Sequence, residues 1–248
     1  IYGVDGPGFG SAEALLGEVF AASPSLRDRV VLATKGGIWP GIPYDSSPPY
    51  LRAACDASLR RLQVDRIDLY QIHRPDLLAH PADVAGELAA LRAAGKVAEV
   101  GVSNYTVAQF RALQAHLPFP LITHQPELSA WHLDPIDDGV LDQCVELGVT
   151  PLAWSPLAGG RLATGIGLDG RDGAGERLIA VLDELAAARG VDRTVIALAF
   201  VLALPSRPVV IIGSQQPERI RDAARAATIE MTRSEIYAII ASAGRALP

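Results

Sequence analysis

The chain has 248 residues, 49% hydrophobic and 20% charged, a balance suited to one large core. Its net charge of −6 excludes a general nucleic-acid or anionic-membrane binder, because both need a basic face whose counterions can be displaced. No apolar run approaches the roughly 18 residues of a membrane span, and Cys55 and Cys144, set in patterns of buried helix faces, make no disulfide framework, so a reducing cytoplasm is expected.

The first segment, IYGVDGPGFG, carries Gly6, Gly8 and Gly10. A dinucleotide fingerprint needs G-x-G-x-x-G between a strand and a helix, with an acid about 20 positions later at the next strand end. Here the spacing differs and VVLATK ends in Lys35, so a Rossmann reading is rejected. The glycines are expected to form a mobile loop before a helix over 11–20, capped by Ser11.

Strands are expected at 30–35 (VVLATK), 67–73 (IDLYQIH), 97–104 (VAEVGVSN), 120–125 (PLITHQ), 150–155 (TPLAWS) and 208–213 (PVVIIG), all brief and rich in β-branched residues. Helical patterns separate them. Pro48 and Pro49 open one with Leu51, Cys55, Leu59 and Leu62 on one face. Thr106 with Gln109, and Thr232 with Glu235, read as capping boxes, while Gly95, Gly148 and Gly190 stand where a left-handed residue closes a last turn. Strands joined by helices run parallel, and their apolar character means that both faces are covered. An open doubly wound sheet and a closed (β/α)8 TIM barrel both meet this. A recurrence of about 30 residues favours the barrel. The expectation is a single α/β domain over 1–248, N-terminally incomplete, with the first strand-helix-strand, roughly 50 residues, lying upstream.

In parallel α/β folds chemistry gathers at the carboxyl ends of strands. Those positions here hold Tyr2, Lys35, His73, Ser103 with Asn104, Gln125, Trp154 with Ser155, and Gly213 with Ser214. Singly, each has a plain structural explanation: Lys35 can extend its stem to water, and His73 and Trp154 can sit hydrogen-bonded in a core. A polar residue at the end of nearly every strand is costly for packing, and function explains the coincidence. The five histidines (His73, His80, His116, His124 and His132) offer no i, i+4 ligand pair, so no metal is expected.

The segments IYG, EALLGE, ATKGG, DLYQIHRPD, GKVAEVGVSNY, HQPE, AWSPLAGGRL and IIGSQQPERI, in this order along the whole chain, resemble the aldo-keto reductases, especially the bacterial oxidoreductase branch with IHRPD and IIGS. The resemblance implies an active-site tetrad of Asp, Tyr, Lys and His. Tyr2, Lys35 and His73 fall on three of its positions, and the Asp lies upstream of Ile1. It further assigns Ser103, Asn104 and Gln125 to the nicotinamide amide and Trp154 to ring stacking, where Tyr or Phe is commoner. The segment from Leu157 through Gly160 to Arg161, next to Ser155, resembles the loop over the pyrophosphate, and Ser214 and Arg219 match residues at the adenosine phosphate and adenine. Gly213 stands where many members carry Lys, and Ala223 where they carry Asn, which relaxes the preference for NADPH and admits NADH.

Reducing a carbonyl places negative charge on oxygen, so a proton donor and a hydrogen-bond donor are needed there. An ammonium beside a phenol favours the phenolate and eases loss of its proton, the role implied for Lys35 toward Tyr2. His73 would orient or polarise the carbonyl. Trp39 and Trp131 could wall a substrate pocket or fill loop cores. The expected partner is a small-molecule carbonyl substrate, with no obligate protein partner. Two other readings are a Schiff-base aldolase using Lys35 and an NADP(H)-binding regulatory module with little turnover.

Overall fold

In the computed structural model, which describes residues 1–168 and 172–247, parallel strands alternate with helices in two units, Ile1–His124 and Gln125–Pro248. The first contains α1 (Ser11–Ala22), α2 (Pro24–Arg27), β1 (Ala33–Gly36), α3 (Pro48–Leu62), β2 (Ile67–Ile72), α4 (Pro81–Ala93), β3 (Val97–Ser103), α5 (Val107–Gln114) and β4 (Thr123–Gln125), whose last residue begins the second. The second continues with α6 (Asp134–Asp137), α7 (Val140–Leu147), β5 (Thr150–Ala153), α8 (Arg161–Thr164), α9 (Ala174–Arg189), α10 (Arg193–Leu202), β6 (Val209–Val210), α11 (Pro217–Ala224) and α12 (Arg233–Ser242).

All six expected strands are present, several of them shorter. β1 begins at Ala33 because Leu32 gives its N–H to the Asp68 side chain at 2.8 Å, and Val31 is 78% exposed. Partial burial pushes the Asp68 carboxyl up, but bonds from Arg27 and the Leu32 amide outweigh it and leave the group below its ordinary value. β4 starts three residues late: Pro120 has no N–H, and Leu121 donates its own to the Gln114 side chain at 2.7 Å. β6 keeps only Val209 and Val210, and Ile211 adds one bond to the Ala153 carbonyl before the chain turns toward α11.

Local signals set the helix ends. Pro occupies the first turn of α3, α4 and α11, where its missing N–H costs no hydrogen bond. Both expected capping boxes form, at Thr106 and at Thr232, and Gly95, Gly148 and Gly190 adopt φ of 72°, 66° and 60°. Two expectations are corrected. The N-cap of α1 is Gly10, at φ 84°, and the Ser11 hydroxyl instead donates to the Tyr2 carbonyl; the glycine segment before it forms hydrogen-bonded turns, Gly6 and Gly8 both donating to the Gly3 carbonyl. On α3 the buried face is Leu51, Cys55, Ser58 and Leu62. Leu59 is half-buried because it lies about 80° around the helix from Leu51 at 3.6 residues per turn.

In the first unit β1, β2 and β3 pair in order and parallel, and Ile122 extends the ladder to the Val100 carbonyl. Its core includes Leu51, Leu62, Ile67, Tyr70, Leu88, Val100 and Phe110. In the second unit β5 pairs parallel with β6. There α10 is buried from Val195 to Val201 on every side, the mark of a core helix. Cys55 and Cys144 are both buried, and burial is the main cause that pushes their thiols up to about 12. Among the described residues no helix is long and apolar enough to cross a membrane.

His124, on β4, is completely buried and stacks on Phe110 at 5.6 Å between ring centroids. Neither ring nitrogen makes a hydrogen bond of ordinary geometry, and burial pushes its pKa down to about 4, an effect the Tyr105 backbone offsets only in part. The unfolded chain therefore binds a proton that the folded chain does not between pH 6.5 and about 4. Stability is expected to drop as the pH is lowered through that window, by up to about 1.4 kcal/mol per unit. Urea unfolding of the native chain and of His124→Leu at pH 7 and pH 4.5 checks this: the variant should lose that part of the slope.

Candidate active site

The carboxyl end of β1 carries Lys35 and Gly36. Gly36 is required by packing: a Cβ there would lie 2.0 Å from the Tyr70 hydroxyl, which is buried beneath the strand. This close approach lets β1 sit flush on β2 in a register that pairs Lys35 with Gln71, and Gln71 in turn with Gly101 of β3. Since side chains alternate across a strand, Lys35, Gln71 and, two residues on, His73 and Ser103 share one face. Gln71 is buried and donates to the Val102 carbonyl at 3.4 Å, beneath the row's polar end.

Tyr2 reaches this end from the turns ahead of α1. Lys35 Nζ donates to the Tyr2 hydroxyl at 3.3 Å and stands 5.3 Å from its ring centroid. The Tyr2 and His73 rings are 6.0 Å apart. Three expected residues thus converge although they lie 33 and 38 positions apart in sequence (35 − 2 and 73 − 35). Burial, then the charges of Lys35 and Arg74, push the His73 pKa down to about 3, so its imidazole is neutral across the ordinary pH range.

Asn104, just past β3, has φ 59°, a left-handed conformation that Asn tolerates better than most residues. Its amide nitrogen donates to the His73 carbonyl at 3.1 Å and to the Ser103 hydroxyl at 2.9 Å. The strand end that carries Ser103 is thereby fastened to the one that carries His73. The fastening has one sequence signal, an Asn directly after a strand.

In the second unit Gln125 is buried at the end of β4. Trp154, half-buried past β5, forms a parallel bridge with Glu127. From Ser155 to Gly160 the backbone turns through left-handed residues: Ser155 and Ala158 at 52°, Gly159 at 67° and Gly160 at 88°. Ser155 Oγ accepts the Gly159 N–H at 2.8 Å, and Leu157 packs on the core. Arg161 curls back to the Ala158 carbonyl at 2.7 Å and so braces the loop. A side chain at Gly159 or Gly160 would meet nothing within 4 Å, so the loop's outer side is open. Gly213 and Ser214 lie past β6, Ser214 Oγ accepts the Gln216 N–H at 3.1 Å, and Arg219 is exposed in the first turn of α11. An open glycine loop, a hydroxyl and a guanidinium beside a helix N-terminus form a donor set that suits a phosphorylated, anionic cofactor.

Trp39 and Trp131 differ. Trp39 is 50% exposed in the loop after β1, with Phe9 and Tyr50 edge-on to its ring at 6.5 and 5.5 Å. Trp131 is 6% exposed and packs within the core of the second unit, its backbone N–H and that of His132 both donating to Ser129 Oγ, which turns the chain inward. No group of three His, Cys, Asp or Glu that could hold a metal ion occurs among the described residues.

A model of the aldo/keto reductase family matches residues 1–243. The chain is 52% identical over 251 aligned residues to 6-dehydroglucose reductase of Novosphingobium aromaticivorans, covering 100% of this chain and 81% of that one. It is 40% identical to oxidoreductase YdhF of Escherichia coli over 92% of this chain and 76% of that one. The crystal structure of a thermostable aldo-keto reductase in complex with the inhibitor epalrestat superposes with a TM-score of 0.82 at 26% identity, over 95% of this chain and 78% of that one. The chain belongs to the aldo/keto reductase family, and its parallel six-strand α/β fold is of the TIM-barrel type. It is accordingly an oxidoreductase of small molecules.

The Tyr70 contact yields a prediction. Gly36→Ala forces a methyl group against a buried hydroxyl and is expected to cost about 1–3 kcal/mol, measured by urea unfolding against the native chain.

Proposed function

We propose that this protein reduces an aldehyde or ketone with a hydride from NADPH, with Tyr2 as the proton donor. The observation that carries the reading is the 3.3 Å contact between Lys35 Nζ and the Tyr2 hydroxyl, beside a neutral His73. A bound nicotinamide supplies the hydride, and the protein must do the rest. Tyr2 gives its phenolic proton to the carbonyl oxygen as negative charge grows there. Lys35, by favouring the phenolate left behind, eases that transfer. His73, as a neutral imidazole, donates a hydrogen bond to the same oxygen and fixes its direction.

In the first unit Ser103 and Asn104 are proposed to hold the carboxamide. In the second, the open loop from Ser155 to Arg161 and the group of Gly213, Ser214 and Arg219 are proposed to hold the phosphates. Gln125 and Trp154 keep the roles that the family resemblance gives them. Arg219 favours NADPH over NADH, because a guanidinium offers a 2′-phosphate charge and planar paired donors. The substrate is proposed to be a sugar aldehyde of the kind named for the Novosphingobium relative, with the exposed face of Trp39 against its ring. The buried free thiols suit a reducing, cytoplasmic compartment.

Tyr2→Phe is expected to lower kcat about 10²- to 10⁴-fold while NADPH still binds; absorbance at 340 nm with a panel of aldehydes and a fluorescence titration with NADPH read the two effects. Near-normal turnover in this variant overturns the assignment. Arg219→Ala is expected to lower the ratio of NADPH to NADH affinity about tenfold, measured by the same titration with each cofactor.

A further inference from the structure

Tyr2 stands in the turns ahead of α1, with its hydroxyl against Lys35. The turns around it are joined to α1: Gly8 donates to the Gly3 carbonyl at 2.8 Å, Ser11 N to the Gly8 carbonyl at 3.2 Å, and Ser11 Oγ to the Tyr2 carbonyl at 3.4 Å. Wherever the first turn of α1 goes, Tyr2 follows.

Glu13 fixes that turn. One carboxylate oxygen accepts from the Thr34 hydroxyl at 2.5 Å, and Thr34 is the residue before Lys35 on β1. The other accepts from Arg61 of α3, at 2.7 Å from Nε and 2.6 Å from Nη2. The pair is largely screened from water, with side-chain exposures of 27% for Arg61 and 17% for Glu13. Arg61 also lies over the Phe9 ring at 5.8 Å and fills the space beside Gly10, where a Cβ would come within 2.5 Å of its Nε. The carboxylate therefore joins three parts: the helix that leads to Tyr2, the strand that bears Lys35, and α3 behind both.

We propose that Glu13 is a positioning residue for the proton-donating pair, holding the Tyr2 hydroxyl at the distance from Lys35 at which the ammonium acts on it. The proposal rests on the reading of Tyr2 as the proton donor. Charge attraction falls with distance, so a drift of the phenol from 3.3 to 5 Å removes about a third of the pull. Glu13 acts through Thr34 and Arg61, and its effect appears in the proton step.

The test uses the full chain and NADPH, with Glu13→Gln, Thr34→Val, which breaks only the hydroxyl bond, and Glu87→Gln, which breaks the Arg52 pair elsewhere in the same unit. In Glu13→Gln and Thr34→Val, kcat is expected to fall about tenfold and the alkaline limb of its pH profile to move up, with KM and NADPH affinity little changed. Glu87→Gln should leave the profile in place. The inference is overturned if the Thr34→Val profile superimposes on that of the native chain, or if Glu87→Gln moves it equally. Thr34→Val, which keeps the ion pair, decides the matter should Glu13→Gln not fold. A native chain that reduces no carbonyl sinks the proposed function and this inference together, whereas an active native chain with unmoved variants sinks the inference alone.

Discussion

The contact between the Lys35 ammonium and the Tyr2 hydroxyl is the interaction to which the other features of the first unit refer. A phenol exposed to water beside no cation is a poor acid at neutral pH, and an ammonium without a partner is an ordinary surface charge. Here the two stand 3.3 Å apart, with the ammonium facing the phenol directly. The neutral His73 completes the cluster, its ring 6.0 Å from that of Tyr2.

Holding this set requires backbone that comes closer than side chains usually permit. Gly36 lets β1 pass over the Tyr70 hydroxyl and keep the register that brings Lys35 level with Gln71. Asn104, bent into a left-handed conformation, spends its amide on the His73 carbonyl. Glu13 links the Tyr2 turns to the strand of Lys35 through Thr34. Each of these contacts joins an element to the one beside it. The geometry of the site is in this sense a property of the strand ends and their supports.

Much of the fold was legible in the letters. Capping boxes at Thr106 and Thr232 and left-handed glycines at 95, 148 and 190 are decided by hydrogen bonds within a few residues, and they formed as their spacing indicated. Strand extents were less legible, because competing partners lie far away: Asp68 takes the Leu32 amide, and Gln114 takes that of Leu121. Ser11 illustrates the same limit, since it reads as a cap from local pattern but serves the Tyr2 carbonyl, nine residues back, while Gly10 caps the helix. Among the candidate site residues, Lys35 and His73 stood out as polar groups at the ends of apolar runs, and Tyr2 through the family resemblance. Glu13 and Arg61 did not, because a carboxylate and a guanidinium on two helices look like solvated surface until the helices pack.

The amino-acid sequence by itself determined the alternation of strand and helix, the parallel pairing that follows from it, and the family, because these depend on local periodicity and on motifs in fixed order. Tertiary structure alone decided which side chains meet: that Tyr2 lies within reach of Lys35, that Trp39 faces water while Trp131 is buried in a core, and that Arg161 braces its own loop. The physical reason is that hydrogen bonds and close packing act over a few ångströms of space, and residues tens of positions apart come within that range only once the chain has folded.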